Sequence, residues 1–573
     1  MGIIISLLVP IVIVAVIIGV VSRAVRGRDD PDAALSVRRL FVYLLLLATL
    51  AIAAAGVQAL LELAFDTEAS LVEEGSARQA RGLAFVLVGV PSYVLLFRYL
   101  LRELGADPRE ERSLGWRIYL NLTSGIALVT AMVGAAAVLL TVLGGDPFDP
   151  SLAASVVVAA AIWVFHWFGP PGRYHPDNGL PLAVGSLAGL SALVTAMVLA
   201  LTGLGDAVYD ALTDAVLAGT SVSDQLRGAA VALIVGAPVW WWHWLHHDRS
   251  RWNATLWHAY VMVAGVLVGV LVLVGAAAAS VVATLVWFFG VPEADSAGAH
   301  FELLPVAVAY AGAGTVLWAY HAWIHAAVQT GRTEPRRAYE YIVAGVGLVA
   351  TAAGITILLV ALFQAIGPQP VGDIEGNANT LIAAVTGLLV GAPLWWAYWG
   401  RIERHRAAEP GREAGSATRR IYTFVLFGVS AVVGFISIIV VAFIVLEDLF
   451  EGSLSGDTLL DVRVPLALVI TMGLVAWYHL TVYRADREVL GAAPAVHVTR
   501  VVLVAPADSS LAAGLASHEG LTVREWVRLD QPGVLDAGDV EELARRITAL
   551  AVPDVLVVVD AHGEPTAIPY RPS

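Results

Sequence analysis

The segment VGAPVWWWHW at Val235–Trp244 returns as VGAPLWWAYW at Val390–Trp399 and, in shorter form, as VGVPSY at Val88–Tyr93. Each copy lies in a run of apolar residues near the ~20 that a helix needs to cross bilayer hydrocarbon. Gly and Pro inside such a run are tolerated in a membrane, where neighbouring helices re-satisfy the backbone and glycine admits close packing. Tryptophans at the end of the run suit the headgroup layer, where an amphipathic ring is half buried.

Looser versions follow each strict one: AIWVFHW at Ala161–Trp167, LWAYHAW at Leu317–Trp323 and AWYHL at Ala476–Leu480. Each motif marks the second helix of a two-helix hairpin. The first helix often opens with a basic-aromatic entry: RRLF at Arg38–Phe41, WRIY at Trp116–Tyr119, WHAY at Trp257–Tyr260, RRAY at Arg336–Tyr339 and RRIY at Arg419–Tyr422. The third copy, near Pro181, lacks it. Alternation of strict and loose motifs predicts a unit of two hairpins, repeated three times.

Hydropathy agrees with this count. Thirteen stretches, from 3–22 to 464–482, are apolar enough to span, one before the six hairpins and twelve within them. The fold class expected is an all-α polytopic membrane protein with about 13 transmembrane helices, six helical-hairpin repeats and a small C-terminal α/β domain. The expected divisions are an N-terminal anchor and basic loop (1–35), three membrane modules (36–178, 179–335 and 336–493) and the α/β domain (494–573).

Loop charge sets the expected orientation. One set of loops is rich in arginine, including Arg98, Arg102, Arg249, Arg251, Arg336, Arg337, Arg404 and Arg419. The alternate loops hold only Arg78, Arg81, Arg227 and Arg463 and are acidic, as at Asp206, Asp210, Asp373, Glu447 and Asp448. Arginine concentrates on the cytoplasmic side, so the N-terminus is expected outside and the C-terminus in the cytoplasm. The first stretch has no basic residue before it and no small-residue cleavage site after it, and reads as a retained anchor.

Composition excludes several chemistries. The chain has 573 residues, 58% of them hydrophobic and 14% charged, and no cysteine; a soluble domain averages about 25% charged. No thiolate metal site, disulfide or cysteine nucleophile can form. Lysine is also absent, which removes Schiff-base chemistry. A net charge of −14 argues against a nucleic-acid partner.

Three groups of residues are candidates for function. His166, His243, His321 and His479 recur near the ends of second helices, and His243 and His321 could ligate a haem if their imidazoles face each other at similar depth. The alternative is interfacial histidines bonded to headgroups or carbonyls, with no cofactor. Trp240, Trp241, Trp244, Trp318, Trp395, Trp396 and Trp399 form either an aromatic belt anchoring the hairpins or a pocket for a lipid, quinone or similar flat ligand. Ionisable residues are missing from the middle of the spans; Glu62 and Glu340 lie near helix ends. In the C-terminal segment, Asp560, His562 and Glu564 have a turn composition that explains them more simply than a metal site. The order there reads β-α-β-α-β-β, with no Walker loop and no dinucleotide fingerprint.

The RRxY-type entry followed by a VGxPxWWxxW helix resembles a bacterial membrane module, domain of unknown function 5671. That module is a four-helix unit, so three copies would cover roughly 36–485. The resemblance implies the architecture and a bacterial plasma membrane, and no chemistry. With no catalytic constellation in the sequence, a non-enzymatic scaffold is expected, embedded in the lipid bilayer with a protein partner for its cytoplasmic domain. A transporter or channel for an apolar or amphipathic solute is the second reading, and a haem- or quinone-binding electron-transfer subunit the third.

Overall fold

The computed structural model describes residues 31–66, 74–111, 113–174, 179–213, 221–247, 252, 254–328, 331–368, 374–490, 499–506, 511–518, 521–528, 540–550, 552, 554–560 and 564–570. The expected anchor at 3–22 and His562 lie outside them. The chain forms two compact units, 1–408 with 416–479, and 409–415 with 480–573.

Twelve helices among the described residues are long and apolar enough to cross a membrane. They pair as α1 (Pro31–Phe65) with α2 (Glu74–Ala106), α3 (Leu114–Gly144) with α4 (Pro150–Phe168), and α5 (Leu180–Thr213) with α6 (Val222–Leu245). Then follow α7 (Ala254–Phe289) with α8 (Leu304–Val328), α9 (Glu334–Ile366) with α10 (Ile374–Ala408), and α11 (Ala417–Glu451) with α12 (Gly456–Leu490). Several starts at the arginine-rich end carry side-chain caps. Ser113, Thr333 and Ser416 accept from the backbone N–H of Trp116, Arg336 and Arg419, satisfying a donor that the first turn leaves open. Gly145 and Gly452, with φ of 78° and 68°, end α3 and α11 in the left-handed region that glycine adopts without strain.

These helices are an integral membrane bundle. The window of α11 has a mean hydropathy of 3.0, yet only 17% of it is buried inside the protein. Phe424, Phe435 and Phe443 point outward, each more than 60% exposed. A soluble helix with that composition would bury its surface; here lipid covers it.

Lipid tails are as apolar as leucine, so helices in a bilayer associate by close packing and hydrogen bonds. The glycines of the repeated motif supply the packing. A Cβ on Gly391 would sit 2.5 Å from the backbone nitrogen of Thr351, and one on Gly347 equally close to that of Trp395. Gly236 and Gly189 lock α6 to α5 in the same way, and Gly314 and Gly269 lock α8 to α7. Pro91, Pro238 and Pro393 lie inside α2, α6 and α10 two residues after the motif glycine. Both α6 and α7 widen to π-helical turns, at Trp241–Leu245 and Tyr260–Leu267.

The second unit contains a four-stranded sheet in the order β2-β1-β3-β4. The strands are β1 (Thr499–Pro506), β2 (Leu521–Arg528), β3 (Asp554–Val559) and β4 (Pro565–Pro569). β1 runs parallel to β2 and β3, and β4 runs antiparallel to β3. The helices α13 (Leu511–Ala516) and α14 (Val540–Ala549) complete the β-α-β-α-β-β order. Leu511, Leu515, Leu543 and Ile547 pack against Val501, Leu503, Val555 and Val557 on alternate positions of the two central strands. On the opposite face of the sheet Arg500 pairs with Asp554 at 2.8 Å, and the carboxylate raises the guanidinium pKa above its ordinary value.

Gly391→Leu is expected to destabilise the bundle by about 3 kcal/mol or more, because the new side chain meets backbone that cannot move aside. Gly428→Leu, where a Cβ meets nothing within 4 Å, should be near neutral. Thermal unfolding of both variants in mild detergent checks the contrast.

Candidate functional site: a repeated histidine and aromatic cluster

The motif glycine fixes a register along each second helix. Four residues on stand Tyr93, Trp240, Trp318 and Trp395 after Gly89, Gly236, Gly314 and Gly391. Seven residues on stand Leu96, His243, His321 and Tyr398. His166 and His479 occupy the same place in α4 and α12, where Ala159 and Met472 replace the glycine. Met472 lies over Gly434 of the facing helix, at a looser 3.6 Å than the glycine seams.

His166, His243, His321 and His479 are all buried, each at most 1% exposed. Each places Nδ1 2.8 Å from a carbonyl oxygen one turn earlier: Ile162, Val239, Leu317 and Val475. A carbonyl can only accept, so Nδ1 carries the proton in the neutral ring and Nε2 is left as an acceptor. His166 Nε2 receives the Tyr119 hydroxyl at 2.9 Å, and Tyr119 in turn lies 3.1 Å from the Tyr93 hydroxyl. The order of donors is therefore Tyr93 to Tyr119 to His166 to Ile162. The Nε2 atoms of His243, His321 and His479 have no hydrogen-bond partner among the described residues.

Entry-motif tyrosines meet these histidines inside three of the hairpins. Ring centroids lie 5.6 Å apart for Tyr119 and His166, and 5.9 Å apart for both Tyr260 with His321 and Tyr422 with His479. In the α9–α10 hairpin a tyrosine replaces the histidine, and Tyr339 and Tyr398 share a hydrogen bond at 2.9 Å.

A second contact joins the two hairpins of each module. The residue eight positions after the glycine in the first hairpin meets the residue just before the histidine of the second. Trp244 Nε1 donates to Tyr320 Oη at 2.8 Å, and Trp399 Nε1 to Tyr478 Oη at 2.6 Å. The first module uses Phe97 against Phe165, with centroids 5.4 Å apart and no polar atom.

Arg419 deepens the cluster in the third module. Its guanidinium is fully buried, donates to Glu403 Oε1 at 3.0 Å and to Tyr341 Oη at 3.2 Å, and lies 5.7 Å from the Trp399 ring. Arg332 pairs with the buried Glu340 at 2.6 Å. Glu62 pairs with Arg78 at 3.3 Å in a half-exposed setting.

The sequence-predicted residues divide by environment. His243 contacts the rings of Trp163 and Trp167, and its imidazole fills the space over Gly185. His321 contacts Trp244, Tyr260 and Tyr320, and fills the space over Gly265. They share no ring neighbour and do not stack on each other. Trp240, Trp318 and Trp395 back onto the glycines of the partner helix. Trp241 and Trp396 point outward, 51% and 76% exposed, while Trp244 and Trp399 are buried. One motif thus combines backbone packing, lipid contact and inter-hairpin hydrogen bonding. Among the described residues, no group of three or more His, Asp or Glu is placed to hold a metal.

Tyr320, Tyr478 and the buried Arg419 did not stand out as candidates in the sequence. The signal for the tyrosines was the aromatic residue preceding the histidine in all three loose motifs. Arg419 looked like an interfacial entry residue, and only the facing Glu403 and Trp399 show its burial.

The Trp399–Tyr478 bond is expected to contribute about 1 kcal/mol. Trp399→Phe and Tyr478→Phe should each destabilise the protein, and the double variant should lose less than their sum. A double-mutant cycle on detergent-solubilised protein measures the coupling; zero coupling would contradict the bond.

The family model described as a domain of unknown function, 5671, matches residues 39–147, 179–320 and 337–474. No curated protein and no solved structure matches the chain. Three matches that together cover more than half of its length place the chain in the family of domain of unknown function 5671.

Proposed function

We propose that the chain is a non-enzymatic, multi-pass protein of a bacterial plasma membrane that holds its α/β domain in the cytoplasm for a protein partner. The arginine-rich loops support that orientation. The glycine-locked hairpins support a rigid scaffold.

The observation that carries the partner is a face of the sheet that neither described helix of the domain covers. Sheets of parallel strands are ordinarily covered on both faces. Here α13 and α14 pack on the side of Val501, Leu503, Val555 and Val557. The alternate positions on the other side hold an apolar patch of Val502, Val504, Trp526, Leu556, Val558 and Ile568, with Val504 beside both Trp526 and Val558 and Leu556 beside Ile568, bordered by Arg524 and the Arg500–Asp554 pair. Trp526 is 55% exposed and Ile568 44%. An apolar patch with an exposed tryptophan and a charged border is the kind of surface that anchors a protein interface.

Two lateral grooves in the bundle favour a second reading, the binding or passage of an amphipathic solute. One, of about 540 Å³, lies between α1, α2 and α4; the other, of about 580 Å³, lies between α7, α9 and α11.

Affinity purification of the full chain from native membranes should recover a protein that is lost both on deletion of 494–573 and in Trp526→Glu. An unchanged set of co-purifying proteins in the deletion would count decisively against the partner. A fluorescent reporter fused after Arg487 should fluoresce in the cytoplasm, whereas an exported reporter there would invert the orientation.

A further inference from the structure

The groove of the first module combines an apolar trough with one arginine, Arg98, among its described lining residues. Its walls are Leu50, Ala54 and Val57 of α1, Val94 of α2, and Val157 and Ala161 of α4. The α4 lining runs from Val157 as far as Pro170 just beyond the helix, thirteen residue steps. At ~1.5 Å per step this is about 20 Å, somewhat longer than the ~15 Å of hydrocarbon in one leaflet. The lining residues Val157 and Val94 are 47% and 38% exposed, so the trough opens sideways toward lipid.

Arg98 lines the groove at the arginine-rich end, and among the described residues it has no ion-pair or hydrogen-bond partner. The cluster contributes the polar atoms nearby, since Tyr93 and His166 also line the groove, but their hydrogen bonds are already made. Arg98 is therefore the polar group left to engage a ligand.

The other modules show why this groove belongs to the first. Nine positions after the motif glycine, Arg98 corresponds to Leu245 and Gly400, neither of which carries charge. The crossing beside it is bridged by the Trp244–Tyr320 and Trp399–Tyr478 hydrogen bonds in the second and third modules. The smaller pair Phe97 and Phe165 takes their place in the first, and both line the groove.

We infer that this groove binds an anionic phospholipid, one acyl chain lying in the trough between α1, α2 and α4 and the phosphate pairing with Arg98. A guanidinium presents a planar fork of donors that matches phosphate oxygens, and the pair forms beside hydrocarbon, where screening by water is weak. The trough's length sorts ligands by chain, and Arg98 sorts them by headgroup charge.

The test is native mass spectrometry of the full chain in mild detergent, with palmitoyl-oleoyl phosphatidylglycerol or the matching phosphatidylcholine added. The readout is the lipid retained as delipidation is increased. The wild-type chain should retain phosphatidylglycerol in preference by roughly tenfold, the order of one charge-assisted hydrogen bond. Arg98→Gln should bring the two lipids to equal retention while leaving the fold intact. Ala161→Trp should fill the trough and lower retention of both; Phe97→Trp with Phe165→Tyr, which installs the larger pair used elsewhere in the chain, should do the same from the buried side. Undiminished preference in Arg98→Gln overturns the headgroup assignment. Full retention in both trough variants overturns the acyl-chain assignment. Retention of neither lipid by the wild type, with both retained after deletion of residues 1–30, would make the chain's own N-terminal segment the occupant and overturn the inference.

Discussion

Backbone-to-backbone contact at glycine is the constraint on which the membrane unit depends. In water a hairpin could close by burying leucine and valine, but in lipid those side chains are equally well accommodated on the outside. Closure must come from dispersion over short distances, and only residues without a side chain let two helix axes approach that closely. Gly347 with Gly391, Gly189 with Gly236 and Gly269 with Gly314 do this in successive hairpins. Once the glycine is placed, helical geometry decides the rest of the motif. The tryptophan four residues on lies over the same seam, the next residue faces lipid, the residue seven on turns inward, and the residue eight on reaches the neighbouring hairpin.

That register explains how a short motif can carry several roles without a specialised site for each. Trp395, Trp396 and Trp399 are close in sequence, yet the first packs on Gly347, the second is 76% exposed and the third donates a hydrogen bond to Tyr478. Each inter-hairpin bond is at least partly buried, where a polar group left unpaired costs up to about 1–3 kcal/mol. The Trp–Tyr contacts therefore align two hairpins as well as hold them together. Arg419 extends this to a full charge, stabilised by Glu403 and the faces of neighbouring rings.

Much of the membrane unit was legible in the sequence because its signals are one-dimensional. Hydropathy reports the spans, and the Gly-x-Pro and tryptophan spacing reports the second helices. The C-terminal β-α-β-α-β-β order was equally legible from strand alternation and the amphipathic run ending near Ala549. The pairing of Tyr119 with His166, or of Trp244 with Tyr320, was not legible, because 47 and 76 residues separate the partners and nothing local links them. The tryptophans read as one belt because composition does not reveal helix rotation; the structure separates Trp241 from Trp244 by which face each occupies. The lateral grooves were invisible for the same reason, since Leu50, Val94 and Val157 come from three helices.

The histidine position remains the part of the motif that packing alone does not demand. Leu96 occupies it in the first hairpin and Tyr398 in the fifth, so a hairpin closes without an imidazole. A buried Nε2 without a partner is a cost that leucine would avoid, yet it recurs at His243, His321 and His479. In the first module Tyr119 removes that cost by direct hydrogen bonding, while Tyr260 and Tyr422 stand beside their histidines without doing so. The three modules therefore share a backbone solution and differ in polar completion. The first completes its Tyr–His bond but bridges its hairpins with Phe97 and Phe165, leaving a groove at the junction. The second and third make the Trp–Tyr bridge and leave the imidazole open. Divergence in this chain has fallen on the side chains at the seams, where the Phe–Phe and Trp–Tyr pairs exchange without unlocking the glycine contacts of the other hairpins.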